Sequence, residues 1–300
     1  MTNEPVAHQP VLLNQTLQLL QVKPDQWYLD ATLGAGGHTS KILQSGGQVV
    51  AIDQDQTAIL RAQEQLSDWL AQGRLKLLHG SFGQLQDLVA QSQVKQFAGI
   101  LFDLGISSLQ LDNPERGFSF LKRGPLDMRM DQTQSLTAAE IMNHYSETRL
   151  ARLFAQLADE PKAKAIAKEI VHSRQSQPVL YTDQLAEIVA RVYHHQRKVH
   201  GRHPATKVFM ALRMEVNHEL DQLIAALPVA WQVLAPRGRL AVISFHSGED
   251  RIVKRFFQHQ ARVQPAKLIT PKPVVPSEDE IALNPRSRSA KLRVIEKLAV

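Results

Sequence analysis

A glycine-rich turn between a short apolar segment and a helical one constrains this chain more than any other feature. Residues 27–30 are an apolar run that ends in Asp30, and three glycines follow, at Gly34, Gly36 and Gly37. Glycine at such a turn permits tight backbone geometry and the close approach of a ligand that a Cβ atom would block. The pattern predicts a strand, a ligand-binding loop and a helix, in that order.

A second apolar run ends in another acid and narrows the choice of ligand. Residues 47–53 have the pattern of a strand, and an aspartate in the position of Asp53 can accept hydrogen bonds from both hydroxyls of a ribose. The glycine spacing differs from the G-x-G-x-x-G fingerprint of nicotinamide cofactors. Asp30, before the loop, suits the cationic amino group of a methionine better than a pyrophosphate. The residues therefore favour S-adenosyl-L-methionine and make a nicotinamide oxidoreductase a distant alternative.

Strand and helix patterns alternate through the first part of the chain. Residues 75–80 are a third strand candidate, and residues 97–103 are a fourth. This alternation predicts an α/β fold with a parallel sheet. Ligands of such sheets bind beyond the carboxyl ends of the strands, so we expect four strand-end residues on one rim: Asp30, Asp53, Phe82 and Asp103.

The alternation stops at residues 110–205, where turn-rich segments are followed by helical patterns. A capping box begins at Thr137, and apolar residues recur at helical spacing after it. A stretch of this length is too long for a connecting loop. The α/β pattern then resumes, with a fifth strand expected at residues 239–245. We therefore predict a sheet domain of residues 1–109 and 206–300, interrupted by a helical substrate-recognition domain of residues 110–205.

The distribution of charge points to a polyanionic partner. The net charge is +6, but residues 1–109 hold 6 basic and 9 acidic side chains, whereas residues 251–300 hold 11 basic and 4 acidic ones. A basic surface on an acidic scaffold favours nucleic acid, with a solvated basic tail as the plain alternative. The chain has no cysteine, no secretory leader pattern and no apolar run long enough for a bilayer. We therefore expect a cytoplasmic protein without a membrane partner.

Several runs of residues are specific in combination: 8–13, 30–38, 103–112, 115–120, 124–130, 203–206, 244–251 and 284–289. Together they resemble the RsmH (MraW) family of 16S rRNA cytosine-N4 methyltransferases over almost the whole chain. The resemblance implies a class I S-adenosylmethionine-dependent methyltransferase sheet, Rossmann-like, with an inserted α-helical subdomain that helps to recognise RNA. One residue departs from the family pattern, because Gly248 stands where leucine is usual, and this puts the local packing in question.

The same resemblance implies a substrate and a set of cofactor contacts. The expected reaction is N4-methylation of one decoding-centre (P-site) cytidine of 16S rRNA, within the assembled small ribosomal subunit rather than in free RNA. S-adenosyl-L-methionine is the expected methyl donor. The implied cofactor contacts are Gly36, Gly37, His38, Asp53, Phe82, Asp103 and Gln110.

The chemistry of the cytosine amine suggests roles for the loop after the fourth strand. The N4 lone pair is delocalised into the ring, so an enzyme must align the amine with the methyl group and stabilise the charge that develops. We expect Asp103 to contact the cofactor and steady its positive charge. Ser107, or backbone carbonyls near it, would accept a hydrogen bond from N4. A cap at the end of the strand is the structural alternative for Ser107.

Aromatic and basic residues are expected around a base that must leave its stack to be methylated. Phe118 and Phe120, flanked by Arg116, Lys122 and Arg123, are candidates for stacking on that base. An equal alternative is that the two phenylalanines anchor the insertion to the core.

His246 follows the fifth strand and joins Asp103 and Ser107 as a catalytic candidate, with a purely structural histidine as the alternative. The sequence also predicts a set of contacts to RNA: Arg116, Phe118, Arg129, His203, Arg251, Arg286 and Arg288.

Four histidines close together raise the question of a metal site: His194, His195, His200 and His203. Their neighbours are cationic, and cationic neighbours oppose a metal ion. We therefore predict no metal site and interpret this segment as a basic loop that faces RNA.

Three further alternatives stay open from the residues. A DNA or a small-molecule methyltransferase would use the same cofactor. A catalytically weak ribosome-assembly or RNA-binding factor could keep a methyltransferase fold. The oligomeric state is undetermined, and a homodimer through the insertion or the C-terminal strand is one option.

Overall fold

The computed structural model describes residues 10–194 and 203–299. In these residues seven strands form one mixed sheet in the order β3-β2-β1-β4-β5-β7-β6. The strands are β1 (Trp27–Asp30), β2 (Gln48–Asp53), β3 (Leu75–His79), β4 (Phe97–Asp103), β5 (Leu234–Ser244), β6 (Ala266–Leu268) and β7 (Lys291–Lys297). Strands β1 to β5 pair in parallel, and β7 runs antiparallel to both β5 and β6. The predicted α/β class with a parallel sheet is confirmed.

The helices complete the framework. They are α1 (Leu13–Leu20), α2 (Gly37–Gln44), α3 (Gln56–Gln65), α4 (Ser67–Ala71), α5 (Leu85–Ser92), α6 (Ser108–Asp112), α7 (Ala138–His144), α8 (Glu147–Ala158), α9 (Ala163–Ser176), α10 (Thr182–Val192), α11 (Thr206–Val216), α12 (Glu219–Val233), α13 (Ser247–Val263) and α14 (Glu278–Leu283). Among the described helices, none combines the length and the apolar character that crossing a membrane requires.

Both faces of the sheet are buried, which explains why its central strands are almost continuously apolar. On β1, Leu29 packs into one apolar cluster while its neighbour Tyr28 packs into another. On β4, Ile100 and Leu101 likewise belong to different clusters. Successive side chains of a strand point to opposite faces, so helices cover the sheet on both sides.

The chain divides into two compact units. The sheet unit takes the described residues up to Ser107 and those from Leu220 onward, and the helical unit runs from Ser108 to Glu219. The second boundary therefore lies later in the chain than the 205/206 division expected from the sequence. The physical reason is that α11 packs against α7 and α8 of the helical unit.

Two local differences from the sequence-based expectations concern strands. Strand β5 begins at Leu234, earlier than the expected residue 239, and its register with β4 shifts between Phe97 and Gly99. Residues 265–276, for which the sequence analysis predicts no strand, contain the short strand β6, which pairs with β7 through Lys267 and Glu296. A three-residue strand carries too little periodicity to be found from sequence.

Candidate cofactor and catalytic site

The carboxyl ends of the parallel strands bring three aspartates to one edge of the sheet. Asp30 ends β1, Asp53 ends β2 and Asp103 ends β4, and these strands are neighbours in the sheet. The chain order of the strands reverses at β1: β2 and β3 lie on one side of β1, and β4 and β5 lie on the other. Such a switch point is where open α/β sheets bind ligands. The edge is therefore the candidate site.

Asp30 holds the glycine loop to the sheet. One of its carboxylate oxygens accepts a hydrogen bond from the Thr39 hydroxyl at 2.7 Å, and the other accepts one from the Thr32 backbone N–H at 3.2 Å. Burial raises the pKa of Asp30 to about 6, although these hydrogen bonds oppose the rise. Asp30 thus links the end of β1 to the first turn of α2.

The loop itself requires glycine at two positions for different reasons. Gly36 caps α2 with φ +79°, a left-handed conformation that side chains rarely adopt. Gly37 has no such φ, but a Cβ there would lie 2.2 Å from Cγ of Pro10. The N-terminal segment can therefore lie against the start of α2 only because residue 37 is glycine.

Asp53 ties the same loop to the second strand. Its Oδ2 accepts from the backbone N–H of Gly34 at 2.7 Å, and its Oδ1 accepts from that of Asp55 at 2.8 Å. Burial raises the pKa of Asp53 to about 6, and the nearby carboxylates of Asp55 and Asp30 add to the rise while the two N–H groups oppose it.

Asp103 is the most perturbed acid of the three. Burial raises its pKa well above the ordinary value, and the carboxylates of Asp30 and Glu249 add to this. Its Oδ2 lies 3.5 Å from Nδ1 of the buried His38. Its Oδ1 is sealed from solvent and has no hydrogen-bond partner among the described residues. The side chain as a whole is 23% exposed, so part of the carboxylate faces solvent at this edge.

Two further predicted residues lie in the sheet unit near this edge. Phe82 follows β3 in a 3₁₀ turn and packs edge-to-face on Phe102, with ring centroids 5.7 Å apart. Ser107 follows β4, and a Cβ added at Gly34 would lie 3.7 Å from the Ser107 Cβ. The loop after β4 therefore returns to the glycine loop. Gln110 is buried in α6 of the helical unit.

His246 caps the N-terminus of α13 with its ring. Its Nδ1 accepts from the backbone N–H groups of Gly248 at 3.1 Å and Glu249 at 3.4 Å. An accepting Nδ1 places the ring proton on Nε2, which lies 3.1 Å from Oε1 of Glu249. That approach is an ion-pair distance but not an aligned hydrogen bond. With both nitrogens turned into the cap, a structural role suits His246 better than the catalytic role expected from the sequence.

Glu249 completes this cap and was not singled out from the sequence. It is buried, and its Oε2 accepts from the backbone N–H groups of Phe245 at 2.8 Å and His246 at 3.3 Å. The signal for it is the capping-box spacing, with an acid three residues after the cap. Here a histidine ring takes the place of the usual hydroxyl, which hides the pattern.

Gly248 lies against the ring of His246. A Cβ there would lie 3.1 Å from both Cε1 and Nδ1 of the imidazole, which is a tight contact. The departure from the family pattern therefore leaves room beside the capping histidine rather than a break in α13.

The predicted RNA contacts of the sheet unit are exposed. Arg251 is exposed on α13, and Arg286 and Arg288 are exposed in the 3₁₀ turn Pro285–Ser289. This turn immediately precedes Lys291, the residue of β7 that pairs with the last residue of β5. Arg286 and Arg288 therefore lie near the same carboxyl edge of the sheet as the three aspartates.

The predicted RNA contacts of the helical unit are largely internal. Arg116 is buried and donates from Nη2 to the carbonyls of Arg129 and Met130, both at 3.0 Å. Arg129 in turn donates to both carboxylate oxygens of Asp127, at 2.9 and 2.7 Å. Two arginines that bond to neighbouring backbone carbonyls and to Asp127 stabilise the loop that contains them. We therefore assign both a structural role.

The aromatic candidates of this unit are also packed inside it. Phe118 is buried, and the Arg116 guanidinium lies 5.9 Å from its ring centroid. Phe120 stacks on His203 with centroids 4.6 Å apart and on Phe209 at 4.9 Å. Both rings therefore pack within the helical unit, and His203 packs with them.

The histidine segment is only partly described. His194 and His203 lie within the described residues, whereas His195 and His200 lie outside them. Among the described residues, no three His, Asp or Glu side chains form a group that could hold a metal ion.

Comparison with known proteins gives matches over the full length. The sequence model described as the MraW methylase family matches residues 5–298. A protein of Thermomicrobium roseum named "Ribosomal RNA small subunit methyltransferase H" is 47% identical over 98% of this chain and 94% of its own length. A protein of the same name from Caldicellulosiruptor saccharolyticus is 42% identical over 97% and 99%. A solved rRNA methylase from Streptococcus thermophilus aligns over 98% of this chain and 100% of its own, with 13% identity and a TM-score of 0.46.

Proposed function

The chain belongs to the MraW methylase family, and from that premise we propose that it methylates N4 of a decoding-centre cytidine in 16S rRNA. Its relatives at 42% to 47% identity are named as methyltransferases of small-subunit ribosomal RNA, so the coarser assignment is to rRNA of the small subunit. The fold supports a class I methyltransferase, with a parallel sheet and an antiparallel β7 beside β5. The methyl donor is S-adenosyl-L-methionine.

The observation that carries the proposal is the cluster of three acids at the switch point, of which Asp30 is buried and Asp53 and Asp103 are partly buried. Burial disfavours ionised carboxylates, and three of them near one another disfavour it further. A ligand that brings positive charge would offset this cost, whereas a pyrophosphate would increase it. The Asp103 side chain is 23% exposed, so its carboxylate can meet such a ligand at the edge of the sheet. The residues present therefore fit S-adenosyl-L-methionine better than a dinucleotide.

When bound, this donor supplies a methyl group on a positively charged sulfonium. We assign Asp53 to the ribose hydroxyls, because it ends β2 beside the glycine loop. The remaining contacts proposed for the donor are Gly36, Gly37, His38, Phe82, Asp103 and Gln110. Asp30 stabilises the loop that carries these contacts, because it accepts hydrogen bonds from Thr39 and Thr32.

The loop after β4 is assigned to the reacting amine. Ser107 lies beside Gly34 and would accept a hydrogen bond from N4, which orients the amine. The N4 proton becomes acidic only as the new N–C bond forms, so a hydroxyl or a carbonyl suffices as acceptor and a strong base is unnecessary. Glu249 and His246 hold the loop after β5 in place and take no part in the proton transfer.

The exposed arginines of the sheet unit are assigned to the RNA backbone. Arg251, Arg286 and Arg288 can contact phosphates, which fixes the position of an RNA without reading its sequence. The net excess of seven basic residues in the last part of the chain, 11 against 4, supports this assignment. The partner is then 16S rRNA within the small ribosomal subunit.

The decisive experiment offers the protein labelled S-adenosyl-L-methionine together with free 16S rRNA, small ribosomal subunits or DNA. The modified nucleoside is then identified by mass spectrometry. We expect N4-methylcytidine, formed in small subunits and not in free rRNA or DNA. Donor binding without transfer to any of the three would instead support the ribosome-assembly factor, and transfer to DNA would support the DNA methyltransferase.

A further inference from the structure

A rigid exposed surface in the helical unit has no role in the site described above. Two segments that are distant in sequence form it, and we call it the 121–181 patch: Leu121, Lys122, Arg123, Leu180 and Tyr181. Backbone hydrogen bonds join the segments, from Leu126 to Leu180 at 2.8 Å and from Thr182 to Gly124 at 3.0 Å.

The side chain of Thr182 adds two more links between these segments. Its Oγ1 accepts from the Gly124 backbone N–H at 3.1 Å and donates to the Lys122 carbonyl at 3.2 Å. An isolated antiparallel bridge pairs Pro125 with Tyr181. The backbones of residues 122–126 and 180–182 are therefore held in fixed relative positions.

The patch exposes large apolar side chains to solvent. Leu121 is 87% exposed, Leu180 is 48% exposed and Tyr181 is 38% exposed. Single exposed apolar residues are common on protein surfaces, but a group of them on a rigid surface marks an interaction site.

The patch also carries a stacked cation. The Arg123 guanidinium lies 4.2 Å from the centroid of the Tyr181 ring, and its side chain is 61% exposed. Its Nη1 lies 3.5 Å from Oδ2 of Asp183, an exposed pair of the kind that contributes little. Lys122 is exposed as well. Two cations face one acid, so the surface has a net positive charge.

We propose that the 121–181 patch binds unpaired nucleotides of the RNA substrate. A base stacks on the Tyr181–Arg123 pair, Leu121 covers its edge, and Lys122 and Arg123 contact the flanking phosphates. Aromatic rings and arginine planes stack on any base, while cations follow the backbone. The chemistry of a protein partner fits less well, because a polyanion gains from both cations. The proposal rests on the proposed function, in which RNA is the substrate. It adds that the 121–181 patch binds the unpaired nucleotides of that RNA.

The first test measures binding of a fluorescein-labelled single-stranded RNA of about 12 nucleotides to the full chain, without methyl donor. We expect Tyr181→Ala to raise Kd about tenfold, because one base loses its stacking surface. Tyr181→Phe keeps the ring and should bind like the unsubstituted protein. Arg123→Lys keeps the charge but loses the planar guanidinium group, so its Kd should lie between those of Tyr181→Phe and Tyr181→Ala. A duplex of the same sequence should show no difference among these variants.

The matched control is a second stacked arginine of the same unit. Arg149 lies 3.5 Å from the centroid of the Tyr145 ring, but Glu215 neutralises it and also accepts from the Tyr145 hydroxyl. Arg123→Ala should raise Kd as Tyr181→Ala does, whereas Arg149→Ala removes the same charge outside the patch and should change Kd by no more than about twofold. Thermal unfolding of each variant shows whether the fold is kept, and Tyr181→Phe and Arg123→Lys provide variants that keep most of the packing.

Each outcome decides the proposal separately from the proposed function. If Arg123→Ala and Arg149→Ala bind the single strand equally, the patch does not take unpaired bases. If Tyr181→Ala impairs methylation of small subunits while oligonucleotide binding is unchanged, the surface contacts a ribosomal protein and the proposal is overturned. If the unsubstituted protein methylates none of the RNA substrates, the proposed function fails, while the loss of oligonucleotide binding in Tyr181→Ala would still support the patch.

Discussion

At the scale of single residues, the candidate site is defined by how its acids are buried. Asp30 uses both carboxylate oxygens to hold the glycine loop and the start of α2, and Asp53 accepts from Gly34 of the loop and from Asp55. Asp103 keeps Oδ1 without a hydrogen-bond partner among the described residues. Asp30 therefore shapes the site, whereas Asp53 and Asp103 are assigned to the donor. This division leads to two predictions.

We predict that Asp103→Asn lowers kcat for methylation of small subunits about a hundredfold, because an amide replaces the charge that faces the donor. The substitution removes a buried charge without changing its shape, so the melting temperature should stay equal or rise. Single-turnover kinetics and thermal unfolding provide the two measurements. Asp68→Asn, at an exposed position of α4, is the matched control and should leave both unchanged. Full activity in Asp103→Asn would remove this residue from the catalytic set.

We predict that affinity for S-adenosyl-L-methionine rises with pH through about 6, the pKa of Asp30 and Asp53. Burial raises the pKa of Asp30 and of Asp53 to about 6 in the unliganded protein, and a cationic ligand favours their ionised forms. Binding should therefore lower both pKa values and release protons. Calorimetry in two buffers of different ionisation enthalpy measures the protons released, and an affinity independent of pH would contradict the prediction.

The same two acids affect stability with the opposite sign. Their folded-state pKa values lie above the ordinary value of 3.8, so the folded state binds more protons than the unfolded chain between these limits. Their contribution to the free energy of unfolding therefore increases as pH falls through about 6 and is complete below about pH 4. Above pH 6 both are ionised and this contribution is absent.

At the scale of elements, two helix starts determine the geometry of the site. Helix α2 begins at Gly37 against Pro10, and α13 begins with the reciprocal cap of His246 and Glu249. The start of α2 depends on Gly37 because of its neighbour Pro10, and the start of α13 depends on His246 because of its neighbour Glu249. Substitutions can therefore separate the structural from the chemical role at both places.

We predict that Gly37→Ala weakens donor binding and costs about 1–3 kcal/mol of stability, because its Cβ would overlap Pro10 at 2.2 Å. Gly73→Ala is the control, since a Cβ there has no atom within 4 Å and only its φ of +69° is strained. It should cost about 1 kcal/mol and leave donor binding unchanged. Urea denaturation and calorimetry measure the two effects. Equal donor affinity in both variants would show that the Pro10 contact does not shape the site.

We predict that His246→Ala destabilises the protein by about 1 kcal/mol and that His246→Asn does not, because asparagine is a good N-cap. Activity should follow stability, so the asparagine variant should keep most of kcat. Urea denaturation and kcat on small subunits are compared for the two variants. If both were equally inactive while His246→Asn stayed stable, the imidazole would have a chemical role after all.

At the scale of the whole molecule, charge is divided along the chain more sharply than the net value suggests. The acidic stretch, residues 1–109, supplies the glycine loop and the three rim acids, and the basic stretch, residues 251–300, supplies Arg286 and Arg288 at the carboxyl edge. A protein so arranged can hold a cationic donor and a polyanionic substrate without either charge cancelling the other.

We predict that removing both exposed arginines makes binding of small subunits less sensitive to salt. In the double variant Arg286→Ala and Arg288→Ala, the magnitude of the negative slope of log K against log salt should decrease by about 2, roughly one for each lost phosphate contact. Arg61→Ala, on α3, is exposed but outside this edge and should leave the slope unchanged. Binding is measured at several salt concentrations. An unchanged slope in the double variant would show that these arginines do not contact phosphate.

The class of fold, and the meeting of three acids at one edge of the sheet, could be predicted from the sequence because both depend on local patterns. Apolar runs of strand length, three of them ending in an acid, indicate a parallel sheet whose acids share one edge. The glycines after Asp30 mark the loop that a ligand approaches. Such features need only the order of neighbouring residues, and parallel pairing then brings the ends of the strands together.

Other features were decided by the tertiary structure alone, because they depend on partners that are distant in sequence. Arg116 and Arg129 resemble RNA contacts until backbone carbonyls and Asp127 are found to use their donors. Phe118 and Phe120 are buried or packed, while Leu121 and Tyr181 are exposed. The spacing of apolar residues cannot distinguish the packed rings from the exposed side chains, since a short loop has no regular repeat of apolar residues. Which side chain meets solvent is settled only when separate segments pack and satisfy one another's hydrogen bonds.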